Sequence, residues 1–146
     1  MVSVCTSINI QAAAKNLFDI YKDYENWDRL FPLTIEKARL IRVDDNKLTI
    51  EVTHKSAGKV VNVLTFLSSE KIKLEEFKPL YNAVFINAFE SAANESCYRI
   101  VASVKLKGFY KILEPFISVL VKYKIKKFVL LPMKNYAEHK VSHQQA

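Results

Sequence analysis

The sequence predicts one α+β domain of seven antiparallel strands, with two short helices near the start and a long helix near the end. Three observations predict it. Period-two alternation recurs in short stretches between residues 2 and 107. Helical periodicity is confined to residues 12–31 and to the run that begins at residue 109. Only two Gly and four Pro occur in 146 residues, which leaves little chain for long irregular connections. With 50% hydrophobic residues, nine Phe and seven Tyr, the chain has ample material for a core, and disorder is excluded.

Each element follows from its own pattern. In residues 2–11, Val4, Thr6, Ile8 and Ile10 share one face, and Ser3, Cys5, Ser7, Asn9 and Gln11 share the other, as in a half-buried strand. The period changes at Ala12. Ala13, Leu17, Ile20, Tyr21 and Tyr24 then recur at helical spacing opposite Lys15, Asn16, Asp19, Lys22 and Asp23. A short second helix, residues 26–31, should stop at Pro32, because proline drives the residue before it out of helical backbone angles. Residues 35–43 and 47–55 read as a hairpin across Asp44-Asp45-Asn46, with Leu48, Ile50, Val52 and His54 on one face of the second strand. Residues 59–68, 70–77, 80–90 and 96–107 complete the ladder. In the last of these, Tyr98, Ile100, Ala102, Val104 and Leu106 face away from Arg99, Ser103, Lys105 and Lys107. Residues 59–68 and 80–90 are apolar on both faces, so periodicity leaves their inward side open. A homodimer covering the outer face is one expectation, and scattered exposed apolar side chains are the other.

After Gly108, Phe109, Ile112, Leu113, Phe116, Leu120 and Tyr123 form one helical stripe opposite Lys111, Glu114, Ser118 and Lys122. This stripe is expected to face the sheet. A helix starting at Phe109 would carry Pro115 within its first two turns and bend there. The stripe loses phase at residues 124–127 and resumes with Phe128, Leu131 and Met133. Pro132 is expected to interrupt the helix again, so the domain is drawn as 1–138 with a polar tail at 139–146. Lys124 and Lys127 fall on the continuation of the stripe. Either the helix re-phases, or they stand at a cavity mouth and attract an anionic headgroup or membrane surface.

The net charge is +7, with the lysines spread along the chain apart from a dense group at Lys122, Lys124, Lys126 and Lys127. That spread favours solubility, then transient contact with a membrane surface; nucleic acid is not expected as a partner. Cys5 and Cys97 lack metal-ligand spacing and are expected as reduced, partly buried thiols. His54, His139 and His143 have no matched Glu or Cys, so neither metal nor cofactor is expected, and the last two histidines should be solvated. Residues 116–131, the most apolar run, are broken by four Lys and cannot cross a membrane. The first residues do not read as a secretory signal, and a cytoplasmic location is expected.

The order of elements, and three segments within it, resemble the START and birch-pollen-allergen superfamily (SRPBCC), including its polyketide cyclase/dehydrase-like and coenzyme-Q-binding-like branches. Ser7-Ile8-Asn9-Ile10-Gln11-Ala12 enters a helix containing Leu17-Phe18-Asp19-Ile20-Tyr21. Asp23-Tyr24-Glu25-Asn26-Trp27-Asp28-Arg29-Leu30-Phe31-Pro32 is similar to the family's D-x-E-x-(W/Y)-x-x-(F/L)-(F/L)-P stretch. The segment from Leu130 to Glu138, with Met133, Lys134 and Glu138, is similar to its closing L-x-x-(L/M)-K-x-x-x-E. The usual Pro at the first helix entry is absent, as is the Gly-rich loop of the plant allergens. The resemblance implies a helix-grip fold: a curved seven-stranded antiparallel sheet wrapped around the long C-terminal helix, with a cavity between them.

Such a cavity would be lined from the strands by Ile50, Val52, His54, Tyr98, Ile100 and Ala102, and from the helix by Leu113, Phe116 and Leu120. Trp27 and Phe31 would stand near its entrance. The alternative is that these residues pack a filled core. His54 is the polar residue best placed to orient a ligand, but no side chain is visible that would orient it for catalysis, so no catalytic residue is assigned. The leading expectation is a binder or carrier of a small apolar ligand such as a lipid, isoprenoid or polyketide-like molecule. An aromatase/cyclase-like enzyme and a scaffold with a vestigial cavity are the alternatives.

Overall fold

A computed structural model describes the backbone of residues 1–145 and the side chains of residues 1–139. The strands are β1 (Val2–Ile10), β2 (Ile35–Asp44), β3 (Lys47–His54), β4 (Gly58–Phe66), β5 (Lys71–Phe77), β6 (Tyr81–Ala92) and β7 (Glu95–Leu106). All pair antiparallel in the order β1-β7-β6-β5-β4-β3-β2, so the meander from β2 to β7 is closed by β1 returning to its far edge. Helices α1 (Ala14–Lys22) and α2 (Trp27–Leu30) follow β1, and α3 (Glu114–Ile125) and α4 (Leu131–Gln145) follow β7. The sheet wraps the C-terminal helix, as the helix-grip architecture requires.

The turns use the backbone angles their residues allow. Asp45 takes φ +39° in the β2–β3 turn, Gly58 takes +75° where β4 begins, and Gly108 takes +55° just beyond β7. Strand β2 is irregular: its register against β3 shifts between Ile35 and Lys37 and again between Leu40 and Arg42.

The inner face is the one that alternation assigns to β1, β3 and β7. In β4 and β6, where periodicity leaves it open, Val60, Asn62 and Leu64 and then Ala83, Phe85, Asn87 and Phe89 turn inward. Val61, Leu67 and Leu80 lie exposed on the surface. Both cysteines are free on the outer side of their strands; Cys5 is exposed rather than partly buried, and Cys97 is half-buried.

The C-terminal region departs from expectation at three points. Residues Gly108–Leu113 form a 3-10 segment, and α3 begins only at Glu114. Pro115 therefore lies in the first turn of α3, where no partner exists for the missing N–H, and it does not bend a helix. The stripe containing Phe109, Leu113, Phe116 and Tyr123 faces solvent. The inward stripe is instead Ile117, Val121 and Ile125, continued by Leu130, Met133 and Ala137. Between Ile125 and Leu130 the spacing is five because Lys126–Leu130 is a π turn, whose closing bond runs from the Leu131 N–H to the Lys126 carbonyl. The phase loss in the sequence is this turn. Pro132 does not interrupt the chain's helical path, and α4 continues through the residues expected to form a polar tail. Glu138 fastens α4 to β1: it accepts from the Gln11 N–H at 2.9 Å and from Lys134 Nζ at 2.9 Å, while Lys134 also reaches the Asn9 carbonyl.

Candidate ligand-binding site

The inner face of the sheet has a filled end and an open end. At the filled end, Trp27 and Phe31 do not stand at an entrance; they are buried with Tyr21, Phe89 and Tyr98 in one aromatic cluster. Ring centroids lie 4.8 Å apart for Phe89 and Tyr98 and 5.6 Å apart for Tyr21 and Trp27. The cluster carries its own polar network. Trp27 Nε1 donates to the Tyr21 carbonyl at 2.8 Å, Tyr98 Oη donates to Asn87 Oδ1, and Asn87 Nδ2 donates to Tyr21 Oη at 3.3 Å. Burial raises the pKa of both tyrosines well above the usual value, so both are neutral donors and acceptors. Ile50, Val52, Ile100 and Ala102 join the same core.

The open end lies where β6 begins and β7 finishes. Here Tyr81 and Phe85 of β6 and Val104 and Leu106 of β7 face Ile117, Leu120, Val121 and Ile125 of α3 across a half-open apolar pocket of about 180 Å³. Lys124 completes the wall at its edge. The helix thus re-phases and also brings a lysine to the mouth. Of the residues expected to line a cavity, only Leu120 does so here. Leu113 and Phe116 are on the solvent side of the helix, while Ile50, Val52, Tyr98, Ile100 and Ala102 are spent on the filled end and His54 is half-buried at the end of β3. Side chains of α3, β6 and β7 leave this space between them unfilled.

Beside this pocket the inner face carries polar groups that alternation could not assign. Asn62, only 3% exposed, sits opposite Ile50 and Glu76 in the register, and its Oδ1 has no hydrogen-bond partner among the described residues. His54, at the end of β3, is half-buried with Nε2 likewise unpaired among the described residues. Burial lowers its pKa, with Glu76 pulling upward and Lys78 pushing down. Glu76 and Lys78 form a largely buried ion pair at 2.8 Å, and Lys78 Nζ lies 5.2 Å above the ring of Tyr81, a pocket wall. Burial is the largest single influence and lowers the Lys78 pKa, but Glu76 and Tyr81 together outweigh it and hold the ammonium above its usual range. Asn62 alternates with Val60 and Leu64, the signal that would have found it had one face of β4 been polar. Among the described residues no three His, Cys, Asp or Glu gather closely enough to hold a metal, and no helix is long and apolar enough to cross a membrane. His139 is exposed on α4, and the side chain of His143 lies outside the described residues.

No family model matches the chain, and no curated protein matches it. Solved structures do. The Zhui aromatase/cyclase from Streptomyces sp. R1128 is similar with a TM-score of 0.76 at 12% identity, over 95% of this chain and 94% of that one. A START superfamily protein from Mycobacterium smegmatis is similar with a TM-score of 0.68 at 11% identity, over 94% and 97%. Ara h 8.0201 is similar with a TM-score of 0.73 at 12% identity, over 92% and 96%. At these identities the likeness establishes the fold, which is the helix-grip fold of the START-like (SRPBCC) proteins.

Proposed function

We propose that this helix-grip chain binds a small apolar molecule (a lipid, isoprenoid or polyketide-like compound) in the half-open pocket between α3 and strands β6 and β7. One observation carries the reading: a pocket walled by eight apolar side chains and one lysine remains open beside the buried aromatic cluster. Its volume suits one ring or the end of an acyl or prenyl chain; cavities of about 150 Å³ with apolar walls hold benzene. A longer ligand would leave its remainder outside the mouth, near Lys124. Transient contact with a membrane surface belongs to the same reading, since that is where such ligands reside.

Native mass spectrometry of freshly purified protein is expected to find an apolar adduct. Val121→Trp, which fills the pocket from the helix side, should remove it and weaken binding of an apolar fluorescent probe at least about tenfold. Retained binding in that variant would place the ligand elsewhere, and no adduct or probe binding in either protein would leave a scaffold.

A cyclase-like enzyme is the second reading, favoured by the unpaired Asn62 and His54 atoms and the Glu76–Lys78 pair next to the pocket. His54→Ala that abolishes turnover of a polyketide-like substrate while sparing affinity would favour it over simple carriage.

A further inference from the structure

Residues 108–125 have two apolar faces, and only one is partnered. Ile117, Val121 and Ile125 pack towards the sheet. Phe116, Val119 and Tyr123, spaced three and four apart, point the other way with exposures of 76%, 76% and 57%. The preceding 3-10 segment adds Phe109 at 84% and Ile112 at 68%. Large apolar side chains exposed together on one short stretch of chain mark a contact site.

The charge around it selects the partner. Residues 107–127 carry Lys107, Lys111, Lys122, Lys124, Lys126 and Lys127 and a single acid, Glu114. Lys122 and Lys126, four apart, lie along one side of the apolar stripe, and Lys127 lies over the rings of Tyr123 and Phe128 at 5.7 and 5.4 Å. A second copy docked on this face would bring the same lysines against these, and like charges oppose such an interface. Anionic lipid headgroups offer the opposite sign around an acyl layer that accepts the aromatic side chains.

We propose that the outward face of α3 and its preceding 3-10 segment docks on an anionic lipid bilayer, with Phe109, Ile112, Phe116, Val119 and Tyr123 at the acyl boundary and the lysines on headgroup phosphates. Leu120 belongs to both surfaces, lining the pocket while 47% exposed, so a bilayer at this face meets the pocket mouth. That route for a ligand rests on the binding reading above; the docking itself does not.

Flotation with phosphatidylcholine vesicles, with and without phosphatidylserine, tests the proposal on the full chain. Binding is expected only with phosphatidylserine and should weaken as salt is added. Phe109→Ser with Phe116→Ser should weaken it about tenfold or more, and Lys122→Gln with Lys126→Gln about fivefold per lysine. These side chains are exposed, and circular dichroism checks that the variants remain folded. No binding to phosphatidylserine vesicles, or equal binding to neutral ones, overturns the proposal. So does a dimer in analytical ultracentrifugation that the paired Phe substitutions disperse, which would make a second copy the occupant. Two results separate the readings: Val121→Trp that loses the ligand with vesicle binding intact leaves docking standing, and an unaltered chain that takes up the apolar probe but binds no phosphatidylserine vesicle leaves only the pocket.

Discussion

At the scale of single residues, Tyr98 shows how a polar atom is tolerated at the centre of this fold. Its hydroxyl donates to Asn87 Oδ1, while Asn87 Nδ2 also donates to the Ile72 carbonyl at 3.2 Å, so the amide is held from both sides. Tyr98→Phe keeps the ring but strips a buried acceptor of its donor, which costs about 1–3 kcal/mol. Urea unfolding should register that loss; a change below about 0.5 kcal/mol would mean that Asn87 repairs itself. His54 is a titrating counterpart. Because burial holds its folded pKa below the usual value, the folded state resists taking up the proton. Its contribution to stability is therefore complete above about pH 6.5 and declines as pH falls from there towards the folded pKa. His54→Leu should flatten the melting temperature over that window, and an unchanged slope would assign the acid sensitivity to other groups. The inward position of His54 was readable from its register with Ile50 and Val52. The Asn62, Glu76 and Lys78 side chains near it were not, because apolar residues on both faces of β4 conceal which way Asn62 points.

At the scale of elements, the C-terminal helix shows the limit of reading periodicity. Two apolar stripes run along α3, and the one with the larger aromatic residues faces water. Periodicity reports where hydrophobic residues recur around a helix but not which side the sheet lies on. The π turn hides the true stripe further by inserting one residue between Ile125 and Leu130. It also precedes Pro132, which has no N–H to give to the carbonyl four residues back. Deleting Lys127 should convert the π turn into a regular helical turn and bring Pro132 into a helix interior, at about 3 kcal/mol. Combining the deletion with Pro132→Ala should recover most of that loss, since the inward stripe would then run without a break. If the deletion alone costs nothing in thermal or chemical unfolding, the turn does not accommodate the proline.

At the scale of the whole molecule, the architecture was legible where one face of a strand is polar. Strands β1, β3 and β7 declare their inner sides through Ser and Asn, Thr and Glu, and Arg and Lys on the other. The chain order of the elements was readable directly, and the helix-grip arrangement followed from that order together with the family resemblance. The location of empty space did not, because it depends on how side chains from three elements meet and not on any one pattern. The aromatic cluster of α1, α2, β6 and β7 fills the end where a cavity was expected, and the opening lies under α3. The two register shifts in β2 bear on a hazard of another kind. β2 is an outermost strand, carries exposed Leu40, Ile41 and Val43, and has one side without a neighbouring strand. A straight row of free amides and carbonyls there would template growth into fibrils. The bulges break that row into short pieces, and Lys37, Arg39 and Arg42 charge it, so an incoming strand can zip along only a few residues before it loses alignment.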